Sequence, residues 1–497
     1  MSASKNKLFR EFGKALDEDK AALFAGAGLS AGAGYVNWKE LLREIAEDLD
    51  LKIEMENDLL TLAQFHVTKR NNNRHELDQL IVNEFKTRAK LTDNHHILAQ
   101  LNLACVWTTN YDKLLETAFE AAYKVPDVKI RDQHFALTAP RRDVVIYKMH
   151  GDVDDPGDAV LTKDDYLAYA STHSFFLDAL RGDLLDKTFL FLGYSFGDPN
   201  IEFVLGSLNL ALKKQPRTHF CIMRRPQRSS YAGAEKTDEE WAEEFRYDKV
   251  RFDHRKADLA RYGVETVEID SYEKEIPEIL TELKRLSRLK DVFVSGSAHD
   301  YTPLGQGIIE PLARRIGKEI IANRCHLISG FGLGIGSAII VGAMEELYLQ
   351  PSRDLNRRLT LRPFPQPSNG QTRDDLFPLW SNIRREMISN AGFCIFLAGN
   401  KLQNGQTVPA PGVLGEPGVS GEWELCKALG KYPIPIGASG HAARIIYDEV
   451  LADFDTFYPN IDVRKQFDVL GDETAGEDAW IQAIFAIITA ATKPVKK

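Results

Sequence analysis

Four short polar clusters, each at the end of an apolar run, hold the residue types that can do chemistry in the first half of this chain. His150-Gly151-Asp152 follows Val-Val-Ile-Tyr-Lys-Met. Imidazole is the side chain best matched to general-base work near neutral pH, although a lone histidine can also be structural. Thr108-Thr109-Asn110-Tyr111-Asp112 offers an amide that donates and accepts hydrogen bonds, suited to ribose hydroxyls or an ordered water. The bland alternative is that Asn110 or Asp112 caps a helix beginning near Lys113. Gly26-Ala27-Gly28-Leu29-Ser30 lies between a strand-like and a helix-like run, where backbone N–H groups and a helix start can face a pyrophosphate. The same turn can be no more than a tight strand-to-helix connection. In Gly193-Tyr194-Ser195-Phe196-Gly197-Asp198, Ser195 and Asp198 are placed to line the same crevice.

A second set lies about three hundred residues further on. Gly330-Phe331-Gly332-Leu333-Gly334-Ile335-Gly336-Ser337 is again flanked by a strand-like and a helix-like run, and its four glycines exceed what sheet–helix packing alone needs. Ser295-Gly296-Ser297 follows Val292–Val294, and Gly421-Glu422 precedes a helix-like run. Arg384 and Arg385 are adjacent; arginine is the natural bidentate partner of a phosphate, whereas paired helix arginines are often simply solvated. Glu422 can accept from ribose hydroxyls or favour a helix start. No nucleophile–base pair accompanies these residues, so this set reads as binding rather than catalytic.

The elements that must position both sets follow from periodicity. Strand candidates are Ala21–Ala25, Ala104–Thr108, Val144–Met149, Thr188–Leu192, His219–Met223 and Val264–Ile269, short apolar runs of the kind buried on both faces of a parallel sheet. Helix-like stretches such as Trp38–Leu49 separate them. A second series comprises Val292–Val294, His326–Ser329, Leu359–Leu361, Phe393–Leu397 and Pro433–Ile436. Alternating strands and helices predict an α/β fold with two Rossmann-like, doubly wound domains, whose ligands bind beyond the C-terminal strand ends. A charged stretch around 235–240 reads as a solvated helix or insertion, and Ile276–Leu289 as a closing helix. The domains are therefore expected at 1–289 and 290–497. Pro363 to Asp374 and Gly399 to Gly421 read as long loops.

Composition bounds the function. A length of 497 residues favours two domains, and 44% hydrophobic with 27% charged residues is globular. A formal charge of −10 argues against a general nucleic-acid grip. No apolar run reaches the roughly 18 residues of a membrane span, and the polar start lacks a signal core. Five isolated cysteines (105, 221, 325, 394 and 426) offer no local zinc pairs; free thiols and a reducing cytoplasm are expected, with no metal.

The ordered set of four clusters resembles the sirtuin family over roughly residues 15–270. That resemblance implies a substrate, NAD+, with Gly26, Ala27, Gly28 and Ser30 at its phosphates, Asn110 and Asp112 around the nicotinamide ribose, and His150 as the base. It departs from the zinc-dependent deacylases, which carry paired cysteines, and so favours water as the acceptor. Ser295-Gly296-Ser297, the loop bearing Gly332 and Gly334, and Gly421-Glu422 resemble the SLOG family over about residues 290–490, implying a nucleotide signal for which Arg384 or Arg385 is the phosphate candidate. The pairing is similar to the NAD-consuming effectors of the bacterial Thoeris anti-phage system. It implies an NAD+ glycohydrolase activated by a cyclic ADP-ribose isomer that a TIR-domain partner makes, working as a homo-oligomer, a tetramer or filament. A protein deacylase or ADP-ribosyltransferase, and a non-catalytic nucleotide sensor, are the rival readings.

Overall fold

The computed structural model of the chain describes residues 2–86, 89–212, 217–231, 237–350, 358–368, 371–415 and 420–492. It divides into two compact units, Met1–Ser287 and Arg288–Lys497.

In the first unit seven strands form one parallel sheet: β1 Ala21–Ala25, β2 Cys105–Thr108, β3 Pro126–Lys129, β4 Val144–Lys148, β5 Thr188–Leu192, β6 His219–Arg224 and β7 Val264–Ile269. β1, β2 and β5 are buried along their whole length, which is why they read as unbroken apolar runs rather than alternating ones. On one face the helices Ala3–Asp17 and Tyr272–Ser287 contribute Leu8, Phe12, Leu16, Ile276, Leu280 and Leu283 to a core with Leu23, Val106 and Ile146. On the other face Phe24, Trp107, Phe189 and Phe191 pack against Phe176, Leu180, Val204 and Leu205. The strand order is β3-β4-β2-β1-β5-β6-β7. The chain therefore places β2, β4 and the edge strand β3 on one side of β1 and then crosses to add β5, β6 and β7 on the other, so that the loops after β1, β2, β4 and β5 crowd around one crevice.

Two features depart from the periodicity. β3 is an edge strand of sequence Pro-Asp-Val-Lys, whose charges hide it from any apolar pattern; Lys129 pairs with Asp127 at 2.9 Å, and Arg142 reaches the same carboxylate at 3.0 Å. The helix expected over Trp38–Leu49 breaks at Leu42 into Trp38–Leu41 and Arg43–Asp48. The charged stretch is a helix, Asp238–Arg261, capped by Thr237 and Glu240 and buried through Leu259; Glu235 and Lys236 lie outside the described residues.

The second unit holds β8 Asp291–Ser297, β9 His326–Ser329, β10 Leu359–Leu361, β11 Phe393–Ala398 and β14 Tyr432–Ile436, all parallel in the order β10-β9-β8-β11-β14. Part of the loop expected over Gly399–Gly421 is structured: β12 Asn400–Gln403 and β13 Gln406–Pro409 form a hairpin, followed by the short helix Pro411–Leu414. The Asn404-Gly405 turn, with φ of 53° and 78°, is the signal that marks it, since a two-residue hairpin turn of this hand requires positive φ at both positions. Residues 416–419 of that loop and 369–370 of the proline-rich one lie outside the described residues.

The helix that begins at the end of the four-glycine loop, Gly336–Leu349, is fixed by backbone contact with helix Gln306–Ala322. A Cβ on Gly317 would stand 1.9 Å from the Ile339 carbonyl oxygen, and one on Gly342 would stand 1.7 Å from that of Arg314. All five cysteines are free and buried, and among the described residues no helix is long and apolar enough to cross a membrane. Gly317→Ala must push these helices apart and is expected to destabilise the protein by about 1–3 kcal/mol in chemical denaturation; an unchanged midpoint would contradict the close crossing.

Candidate active site

Backbone-on-backbone packing forms the floor of the crevice. Gly26 N–H donates to the Leu192 carbonyl at 3.0 Å and Gly28 N–H to the Gly193 carbonyl at 2.9 Å. A Cβ on Gly26 would lie 2.5 Å from the Gly193 oxygen, so this glycine is required by the β1–β5 loop contact. The Gly28 N–H is thereby committed to protein. Gly26 is the N-cap of the short helix Ala27–Ala31, and Ala27 and Gly28 line the cavity.

Above this floor runs a buried chain of hydrogen bonds. Asn110 Nδ2 donates to the Gly26 carbonyl at 3.1 Å and to Ser30 Oγ at 2.9 Å, and Ser30 Oγ donates to Asp112 Oδ2 at 2.7 Å. The Gly26 oxygen accepts only, so the amide nitrogen must face it, and both amide hydrogens are committed. What Asn110 offers a ligand is therefore its Oδ1, an acceptor. Asp112 uses its other oxygen to hold Leu114 N–H at 2.9 Å. Both its carboxylate oxygens are thus taken by protein donors, so it braces Ser30 and starts the next helix.

His150 leaves the end of β4 almost fully buried. Its Nε2 lies 2.8 Å from Asp198 Oδ2, and its Nδ1 is buried without a hydrogen-bond partner among the described residues. Asp198 in turn caps helix Pro199–Ala211 through Asn200 N–H at 2.8 Å. Burial pushes the Asp198 carboxyl up, but the His150 charge, its hydrogen bond and the Asn200 and Ile201 amides outweigh burial and hold it below the ordinary carboxylate range. In the neutral ring, an Nε2–H donated to this carboxylate would fix the tautomer that carries its lone pair on Nδ1. Tyr166 sits over the pair, its hydroxyl 3.5 Å from Nε2 and 3.4 Å from Asp198 Oδ2. Burial, then the Asp198 charge, pushes its phenol far up, so it stays a donor.

The loops after β1, β2, β4 and β5 enclose one cavity of about 750 Å³, lined by Ala27, Gly28, Ser30, Asn110, Asp112, His150, Ser195 and Asp198. Ser195 stands exposed at its rim, its carbonyl held by Arg255. Sequence reasoning missed several wall residues. Trp38, Asn57, Leu59 and Phe85 come from the helical segment between β1 and β2 and carry no motif. Tyr166 had no local signal. Lys148 did have one: a lysine closing an otherwise apolar strand is anomalous unless it is paired. Its ammonium is fully buried and reaches the Tyr111 and Asp112 carbonyls, Glu116 and Asp152.

In the second unit the end of β8 meets the glycine-rich loop. A Cβ on Gly332 would lie 1.8 Å from the Gly296 oxygen, and Gly334, at φ 80°, packs on the Ala298 carbonyl. Ser295 Oγ donates to the buried Glu422 carboxylate. Burial raises the Glu422 pKa, while the Ser295 hydrogen bond and the Arg384 charge pull it back. Arg384 is 8% exposed, its guanidinium 5.1 Å from the centre of the Phe364 ring and against Gly412, and its Nε is buried with no hydrogen-bond partner among the described residues. Arg385 is exposed on another face of the same helix. The two arginines are therefore not equivalent: only Arg384 is brought towards Ser295 and Glu422.

The fold and both sites define the class. A family model described as a SIR2-like domain matches residues 104–247, and one described as a Sir2- and TIR-associating SLOG family matches residues 275–491. The protein named NAD(+) hydrolase ThsA from Cytobacillus dafuensis is 41% identical over 495 residues, covering 99% of this chain and 97% of that one. The proteins of the same name from Bacillus cereus (strain MSX-D12) and Enterococcus faecium are 39% and 35% identical, over 96% and 98% of this chain and 97% and 99% of their own. The chain belongs to the ThsA family.

Because the folded-state pKa of Asp198 lies below the unfolded one, its stabilising contribution is present above about pH 4 and lost as pH falls through the depressed value. The stability advantage of the wild type over Asp198→Asn in urea unfolding should therefore be full near neutral pH and shrink on acidification below about pH 4. A difference that stays constant across that range would contradict the pairing.

Proposed function

We propose that the first unit hydrolyses NAD+ to ADP-ribose and nicotinamide. The observation that carries this reading is the pairing, across one cavity, of an imidazole oriented by a carboxylate with an asparagine whose only uncommitted group is an acceptor. The cavity volume lies within the roughly 300–1,000 Å³ of small-molecule sites. The relatives aligned over nearly the whole chain are named NAD(+) hydrolases.

In this reading the bond between ribose C1′ and the pyridinium nitrogen breaks, and its electron pair neutralises the ring, so nicotinamide leaves without needing an acid. Positive charge develops at C1′ and a water oxygen adds there. Asn110 Oδ1 accepts a hydrogen bond from that water or from a ribose hydroxyl and holds it in place. His150 Nδ1 takes up the proton as the C1′–O bond forms, and Asp198 steadies the resulting imidazolium. One water is used and one proton is released per turnover.

The second unit would bind a cyclic ADP-ribose isomer as the activating signal, with Arg384 on its phosphate and Glu422 accepting from ribose. A buried guanidinium with an unpartnered Nε supports this, because burying such a group is costly unless an anion completes its bonding. Such a ligand raises turnover only to the extent that it binds the active state better than the resting one. A TIR-domain partner would supply it in anti-phage defence, and a homo-oligomer, tetramer or filament, would transmit the switch.

His150→Ala should lower NAD+ turnover by about 10²–10⁴-fold in a nicotinamide-release assay; turnover within a few-fold of wild type would overturn the assignment. Arg384→Ala should weaken binding of a cyclic ADP-ribose isomer by about 10–100-fold in calorimetry, the scale of a charge-assisted bond, whereas Arg385→Ala should leave it within a few-fold. Equal losses in both variants would contradict the separation of the two arginines.

A further inference from the structure

We propose that Lys148 is a positioning residue for the hydrolysis, a buried clamp that fixes the Asn110 loop against the His150 turn. The proposal rests on the reading of the first unit as an NAD+ hydrolase. Lys148 is the last residue of β4, two before His150, and its side chain is wholly buried. Its Nζ lies 3.1 Å from the Tyr111 carbonyl oxygen, 2.6 Å from that of Asp112 and 3.0 Å from Glu116 Oε1, and it also pairs with Asp152.

These four acceptors belong to both catalytic loops. Tyr111 and Asp112 directly follow Asn110, and Glu116 stands on the helix that Asp112 starts. Asp152 directly follows the His150-Gly151 turn. One ammonium therefore ties the two loops together from beneath the cavity, beside the backbone bonds Met149 N–H to Thr108 O at 2.9 Å and Val153 N–H to Tyr111 O at 3.0 Å.

An ammonium has three donors and no acceptor, so once buried it draws in acceptors from every segment around it. Two of the four partners here are the Tyr111 and Asp112 backbone carbonyls next to Asn110, and holding them, the Tyr111 one together with Val153 N–H, fixes the segment that carries the amide. Burial raises the Glu116 pKa despite Lys148 beside it, whereas Lys148 keeps its proton because the surrounding carboxylates outweigh its own burial. The ammonium is thus the part of the cluster that cannot be replaced by an apolar group without freeing the loop.

Lys148→Met removes the charge at similar length, and Lys148→Met/Glu116→Gln removes it with one fewer buried carboxylate in case the single variant does not fold. In whichever variant folds, kcat per NAD+-binding site should fall by about 10²-fold, the cost of a small misplacement, with KM within a few-fold of wild type. Amide hydrogen exchange should rise at least about tenfold at 110–114 and 151–153 while β1 and β5 keep their protection. Wild-type kcat in a folded variant overturns the proposal, as does exchange that rises evenly through the sheet. If the wild type itself releases no nicotinamide, the hydrolysis reading fails on its own. The exchange pattern then decides the clamp separately: loosening confined to the two loops upholds it, and unchanged exchange overturns it.

Discussion

The candidate site of the first unit depends on β1 having β2 on one side and β5 on the other. That placement brings the loops after β1, β2, β4 and β5 to one edge of the sheet, although they are scattered over some 170 residues of sequence. The contact that seals it is backbone on backbone: the Gly26–Gly28 turn rests on Gly193, where a single Cβ would force the loops apart. A parallel sheet with both faces covered gives the loops a rigid base, and rigid support is what holds an asparagine and a histidine at fixed separation.

The site uses its polar groups mostly on one another. Asn110 gives its hydrogens to Gly26 and Ser30, Ser30 gives its own to Asp112, and Asp112 completes a helix start. His150 is held by Asp198, itself a helix cap. What remains uncommitted is Asn110 Oδ1, an acceptor, and His150 Nδ1, which has no hydrogen-bond partner among the described residues. On the proposed reading, that pair would position a neutral water and then take up its proton. The second unit presents the opposite chemistry, a buried guanidinium short of partners, as an anion-binding site would.

Much of this was legible in the sequence because buried parallel strands announce themselves as apolar runs, and strand-end loops carry the polar residues. The four clusters and the glycine-rich loop could be found that way. The glycines invited a phosphate reading, but Gly26, Gly28 and Gly332 are first of all places where one backbone must touch another, which no local pattern distinguishes. β3 was hidden because its edge position lets it carry Asp127 and Lys129. The Asn404-Gly405 turn marks the β12–β13 hairpin, but its short polar strands do not stand out from the loop residues around them. Arg384 and Arg385 are separated only by which side of a helix faces the sheet, so tertiary packing had to decide between them. Tyr166 and the wall from the 38–85 segment reach the cavity through chain crossings that a linear reading does not contain.

The central claim is that the reaction ends on water. Incubating the purified protein with NAD+ carrying a label in its adenylate half, with and without a cyclic ADP-ribose isomer, and resolving every labelled product tests it most directly. The account predicts free ADP-ribose and nicotinamide in equal amounts, with no label on protein. Label transferred to protein, or binding of NAD+ with no nicotinamide released under either condition, would contradict it.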